Sequence, residues 1–286
     1  MKKIVALLLV LVMVFALSAC GNAKTEEPKA EEPAAEEVVV EETPAEEPAA
    51  EEPAAEEPAA EEPAAKEPAA EEPAAVMSYA EYVEAELDSP VLVETYVQAH
   101  QSWWKDAITV YAQDPDGAYF IYNMACSEED AAKLVPGQKI RVSGFKSEWS
   151  GEVEIVDASF EFVDGDPWIA EPVDATEVWG TVDMINYQNQ LVCFKGATVE
   201  AYDEAGAAFA YKDPDGKTDD LYFKVTIGDT TYDFCVEFYL CGKDTDVYKA
   251  VEGLKVGDVI DVEGFLYWYN GANPHITSVT VVTPAE

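Results

Sequence analysis

Beyond residue 76 the chain alternates between apolar and polar positions with a period of two, broken at intervals by turn residues. That period puts successive side chains on opposite faces of an extended strand. Val91 to Val97 and Ala107 to Ala112 read as the first two strands. Asp114-Pro115-Asp116-Gly117 follows as a turn, with proline and glycine where a tight turn favours them. Ala118 to Tyr122, Lys139 to Phe145 and Glu152 to Val163 complete a set of five. Two short stretches switch to helical spacing. Ser78-Tyr79-Ala80-Glu81 has the form of a capping box, and Tyr79, Tyr82, Val83 and Leu87 then share one helical face. Ser127 opens a second short helix, running to Leu134 between the third and fourth strands.

Three strands, a helix and two more strands is the element order of the OB-fold, a five-stranded Greek-key barrel. The order recurs: Gln190 to Val199, Leu221 to Ile227 and Thr231 to Leu240 read as strands. A helix over Asp244 to Val251 follows, then strands over Val256 to Phe265 and His275 to Val282. The fourth strands align at a constant offset, Gly137 with Gly257, Ile140 with Ile260, Val142 with Val262, and Gly144-Phe145 with Gly264-Phe265. The expectation is a mainly β protein of two tandem OB-fold-like barrels, over residues 77–165 and 166–286. A single large β-sandwich is the alternative.

Val135 to Gly144 and Leu254 to Gly264 resemble the fourth-strand entry of bacterial OB-fold domains, which occur in secreted proteins and lipoproteins as well as in nucleic-acid enzymes. The resemblance implies a fold and a binding face rather than a ligand. One departure is Thr95, which stands where the second copy has Gly196, so the two opening strands are expected to bend differently.

The first 76 residues follow other rules. Lys2 and Lys3 precede an apolar run from Ile4 to Ala16, too short to span a bilayer but suited to a secretory signal. Leu17-Ser18-Ala19-Cys20 then resembles the bacterial lipobox, which implies cleavage before Cys20 and acylation of that residue. On this reading residues 1–20 are a signal peptide and the chain is a lipoprotein anchored to the outer face of the cell membrane through Cys20. Residues 21–76 read as a linker, in which Glu26 to Ala75 repeat Glu-Glu-Pro-Ala-Ala with prolines at 48, 53, 58, 63, 68 and 73. A proline every fifth residue prevents a continuous helix, and no aromatic is present to offset the entropy of ordering. A disordered acidic tether is expected there.

The formal charge of -41 does not come from the tether alone: 19 acidic and 5 basic residues lie in 1–75, against 39 and 12 in the remainder. Phosphate binding relies on Lys and Arg, so this charge argues against nucleic acid as a partner. The catalytic inventory is thin, with His100, His275 and Arg141 but no nucleophile elbow, zinc-protease motif or phosphate-cradling glycine loop. No enzyme, cofactor or metal is expected. Asp114 to Gly117 and Asp213 to Gly216 are acidic turns that fall short of a calcium loop. Cys126, Cys193, Cys235 and Cys241 form no Cys-x-x-Cys; unpaired thiols are favoured, with a Cys193–Cys235 bridge conceivable.

The candidate ligand contacts are the loop aromatics. Trp103 and Trp104 fall between the first two strands, Trp149 at the end of the fourth, and Tyr267, Trp268 and Tyr269 at the matching place in the second copy. Loops there flank the OB ligand face. The functional expectation is a non-enzymatic surface module that recognises a glycan, a cell-wall polymer or a protein. Nucleic-acid binding is the alternative.

Overall fold

The computed structural model describes residues 75–213 and 219–285. Cys20, where lipidation is expected, and nearly all of the Glu-Pro-Ala repeat lie outside the described residues.

The first barrel comprises β1 (Pro90–His100), β2 (Ala107–Gln113), β3 (Ala118–Ala125), β4 (Lys139–Trp149) and β5 (Glu152–Phe162). They close in the order β1-β2-β3-β5-β4, and β3 and β5 pair in parallel. Alternation decides which side chains fill the centre: Val91, Val93, Val97, Ile108, Val110, Ile121, Ile140, Val142 and Ile155 are buried together. The helix α1 (Tyr79–Glu84) carries the expected capping box, Ser78 and Glu81 each satisfying the other's backbone N–H. At its other end Lys146 donates to the carbonyls of Tyr82, Val83 and Ala85 at 2.8–3.0 Å, capping groups that the helix itself leaves open. The helix α2 (Glu128–Ala131), capped by Ser127, sits between β3 and β4 as expected.

The second barrel adds short edge strands to the same plan. Its strands are β6 (Val173–Asp174), β7 (Leu191–Glu200), β8 (Phe209–Tyr211), β9 (Leu221–Ile227), β10 (Thr230–Val236), β11 (Val259–Phe265) and β12 (His275–Thr283). Pairing of β7 with both β11 and β9 closes the circle, with β12 beside β10 in parallel. The helix α3 (Asp246–Glu252) occupies the place of α2. The core includes Phe194, Phe223, Phe234, Ile260 and Ile276. Trp179, from the connection between the barrels, adds its ring edge-on to Phe194, Tyr232 and Phe234 at 4.8–5.6 Å.

The opening strands do bend at different places. In β1 the register against β2 shifts between Val97 and Ala99. In β7 the break lies opposite Ile260 and Val262, beside Gly196 at φ +68°. Residues 168–170 fold back on the first barrel, where the Gln98 side chain accepts from Ala170 N–H at 2.8 Å. All four cysteines among the described residues are free. No helix among them is long and apolar enough to cross a membrane.

Candidate functional site

In each barrel the second and third strands present an outward face, and register makes the two faces comparable position by position. Tyr111 on β2 pairs with Phe120 on β3, which pairs with Glu154 on β5. Tyr222 on β9 pairs with Cys235 on β10, which pairs with His275 on β12. Tyr111 and Tyr222 therefore hold one place in the plan, Phe120 and Cys235 the next, and Glu154 and His275 the third.

On the first barrel this face is filled. Tyr111, 1% exposed, stacks on Phe265 of the second barrel with ring centroids 4.6 Å apart. Its hydroxyl lies 2.6 Å from His275 Nδ1, and Phe120 meets Tyr267 edge-on at 5.2 Å. Tyr267 in turn stacks on the His275 ring at 4.3 Å. Burial holds the His275 imidazole neutral, its pKa lowered to about 3, so it can accept from the Tyr111 hydroxyl. A second set of bonds surrounds the aromatic patch. The Glu152 carboxyl accepts from Trp268 N–H at 2.8 Å, and Gln188 donates to the Gly151 carbonyl at 2.8 Å. Gly151 sits at φ +91° with the Trp268 ring where a Cβ would fall, so a side chain there would collide. Burial pushes the Glu152 carboxyl up to about 8.

On the second barrel the same face is an open cleft of ≈ 850 Å³. Its floor presents Tyr222 and Lys224 from β9 and Asp233, Cys235 and Glu237 from β10 and its end. One wall comes from the β7–β9 connection with Tyr202 and Lys212, the other from the β11–β12 loop with Tyr267, Tyr269, Asn270 and Asn273. The Lys224 ammonium stands 4.9 Å over the Tyr202 ring and donates to the Tyr202 carbonyl at 3.2 Å. Lys212 approaches Asp220 at 3.4 Å, and Tyr222 donates its hydroxyl proton to the same carboxylate at 3.3 Å. Burial raises the Glu237 carboxyl to about 7. Rings for stacking and fixed donors and acceptors thus converge on one surface, with three carboxylates against two ammonium groups.

The six sequence-selected aromatics separate into different roles. Tyr267 and Tyr269 line this cleft. Trp268 packs half-buried on the second core, and Trp103 on the first, its indole donating to the Cys126 carbonyl at 2.8 Å. Trp149 is exposed on the β4–β5 hairpin, beside the Tyr269 loop, where Asn270 N–H donates to the Ser150 carbonyl at 2.7 Å. Trp104 is exposed on the β1–β2 turn, beside a separate groove. Sequence reasoning missed Tyr202, Tyr222, Lys224 and Asp233. The alternation of Leu221-Tyr222-Phe223-Lys224-Val225 carried a signal for two of them, since its polar members had to face outward. Of the acidic turns, Asp114 is used by its own backbone, accepting from Asp116 N–H at 2.7 Å and Gly117 N–H at 2.9 Å. Residues 214–218 of the other lie outside the described residues.

The two barrels are OB-fold-like and in tandem. No family model and no curated protein matches the chain. Solved structures similar to it include a murine DNA binding protein bound with double-stranded DNA, at 10% identity and a TM-score of 0.33 over 68% of this chain and 97% of that one. The Ifi202 HINa domain in complex with a 20-base-pair duplex matches at 11% identity and a TM-score of 0.30, over 70% and 98%. Asparaginyl-tRNA synthetase from Pyrococcus horikoshii matches at 14% identity and a TM-score of 0.27, over 40% of this chain and 23% of that one. This chain thus spans about a quarter of the synthetase. Two of these neighbours hold duplex DNA. The expectation against nucleic acid, drawn from overall charge, is corrected on this chain's own cleft. The physical reason is that net charge sums over the whole chain, whereas a ligand meets one face, and on that face Lys212 and Lys224 stand among tyrosines.

Proposed function

We propose that this chain is a non-enzymatic binding module that grips an extended glycan, such as a cell-wall polymer, along the β9–β10 face of its second barrel. The observation that carries the reading is the open tyrosine-lined cleft on that face, flanked by the two loops that frame OB ligand sites. Tyr202, Tyr222 and Tyr269 offer flat apolar surface to the C–H faces of sugar rings. Asp233, Asn270 and Asn273 offer acceptors and donors to hydroxyl groups, which need no compensating charge. A lipid on Cys20 and the Glu-Pro-Ala tether would hold this module outside the cell. That part of the reading rests on the residue pattern from Lys2 to Cys20. Metabolic labelling with a fatty-acid analogue should mark the wild type and spare Cys20→Ala; equal labelling of both removes the anchor.

Single-stranded nucleic acid is the second reading, favoured by Lys212 and Lys224 on the same face as the tyrosines. Bases stacked on aromatic rings contribute about 1–3 kcal/mol each. Calorimetric titration with wall-polysaccharide fragments and with a thymidine oligonucleotide separates the two. For a glycan, Tyr222→Ala should weaken binding roughly thirtyfold, as an aromatic hot spot does, with affinity almost flat in salt. Submicromolar oligonucleotide binding that falls steeply with salt and weakens in Lys224→Ala would put the second reading first.

A further inference from the structure

A second cavity lies where the barrels meet, away from the cleft described above, with a volume of ≈ 360 Å³. The first barrel contributes Trp104, Thr109, Tyr122 and Asn123, and the second contributes Tyr239. It exists only because the barrels dock: Ser102 donates from its backbone N–H at 2.8 Å and its hydroxyl at 3.2 Å to the Tyr239 carbonyl. Three large rings are left in solvent around it, Trp104 at 70%, Tyr239 at 61% and Tyr122 at 46% exposure. Clustered exposed aromatics of this kind mark interaction surfaces rather than packing.

Two further observations narrow the ligand. No residue lining the groove carries a charge, in a chain with 75 Asp, Glu, Lys and Arg residues. The lining offers rings, hydroxyls and amides beside the aliphatic Ala107 and Ile108. The backbone that displays the rings is also held in a costly shape. Trp104 and Ala107 exchange two hydrogen bonds at 3.0 and 3.1 Å around Lys105 and Asp106, which sit at φ +48° and +61°. This is the mirror-image hairpin turn that glycine and asparagine favour, here built from Lys and Asp. Asn123, also on the groove, lies at φ +46°. Left-handed non-glycine residues persist where surrounding structure holds them, and they gather at functional sites. The Lys105 ammonium over the Trp104 ring, 5.3 Å from its centroid, helps to hold the indole in one pose.

We infer that this groove is a second binding site, taking a neutral pyranose ring stacked on Trp104 and hydrogen-bonded by the hydroxyls and amides beside it. The cavity falls at the small end of the roughly 300–1,000 Å³ range of ligand pockets, which suits one or two sugar units rather than a folded partner. The site uses residues that the β9–β10 cleft does not, so it stands or falls independently of that reading.

The test uses cellotetraose and tetra-N-acetylchitotetraose as neutral probes on the full chain. In the wild type, either probe should shift the indole N–H resonance of Trp104. Followed at the Tyr122 and Asn123 amide resonances, Trp104→Ala and Tyr239→Ala should each weaken that binding about tenfold or more, and Val182→Ala, exposed and outside both sites, should leave it unchanged. Circular dichroism checks that the variants fold; Trp104→Phe, which keeps a ring, should restore part of the affinity. The inference is overturned if neither probe binds the wild type at millimolar concentration. It is equally overturned if Trp104→Ala binds as the wild type does, or if Tyr222→Ala alone abolishes the shift.

Discussion

The β2–β3 face of the first barrel and the β9–β10 face of the second are one surface put to two uses. At matched positions the first carries Tyr111 and Phe120, and the second carries Tyr222 and Cys235. The first face offers contiguous aromatic area and is closed by Phe265, Tyr267 and His275 from its neighbour. The second keeps a tyrosine but surrounds it with Lys224, Asp233 and Glu237, which favour water or a polar ligand. The tandem barrels thus use the two faces differently: one fastens the pair together, and the other stays open. A few side chains change that outcome while the backbone plan stays the same.

Truncating the matched tyrosines should break the comparison most sharply. Tyr111→Ala opens a cavity in the buried patch and leaves His275 without its partner, and it is expected to cost about 3–5 kcal/mol, read by chemical denaturation. Tyr222→Ala on the open face should cost well under half of that while still losing ligand. Equal destabilisation by the two would mean that the faces do not differ as described.

Tyr111→Phe is a gentler cut. It keeps the ring against Phe265 and removes only the hydroxyl 2.6 Å from His275, stranding a buried acceptor at about 1–3 kcal/mol. A negligible effect would remove this hydrogen bond from the forces that join the barrels.

The pH dependence of stability should show the closed junction from both sides. The folded pKa of Glu152 is raised to about 8, so its neutral form is the one the fold prefers. Its contribution is complete below the unfolded value near 4.5 and is lost as pH rises through 8, with about 1 kcal/mol disappearing between pH 7 and 8. His275 works in the opposite direction. Its folded pKa is depressed to about 3, so stability present above 6.5 is lost as pH falls from there towards 3. Glu152→Gln, which still offers an acceptor to Trp268 N–H, should flatten the alkaline limb. An unaltered limb in that variant would assign the loss to other groups.

The smallest effect is expected at Trp149. Its ring is exposed on the β4–β5 hairpin, so Trp149→Ala should change stability by no more than about 0.5 kcal/mol. A larger loss would place this ring in the junction.

Much of the architecture was legible along the chain because strands and caps are local. Period-two alternation located Leu221–Ile227 to the residue, and Ser78 with Glu81 marked the start of α1 correctly. The repeated order of strands and helix then implied two closed barrels, since a barrel is the arrangement that pairs every edge of such a set. Less local features escaped. The edge strands β6 and β8 are only two and three residues long, too short for any periodicity to appear. Trp179 lies outside every strand and helix the pattern predicts, yet it packs in the second core.

The candidate site depended still more on distance in the chain. Sequence alone determined that aromatics would gather in the loops flanking each barrel face, because turn residues and strand ends fix where those loops lie. Only tertiary structure decided which rings turn inward, as Trp103 does, and which face remains open. Tyr111 meets His275 across 164 positions. That contact depends on how two finished barrels dock, and docking is chosen by the match of whole surfaces in shape and polarity. No pattern within a single strand encodes such a match, which is why the open cleft of the second barrel could be seen only once both were folded.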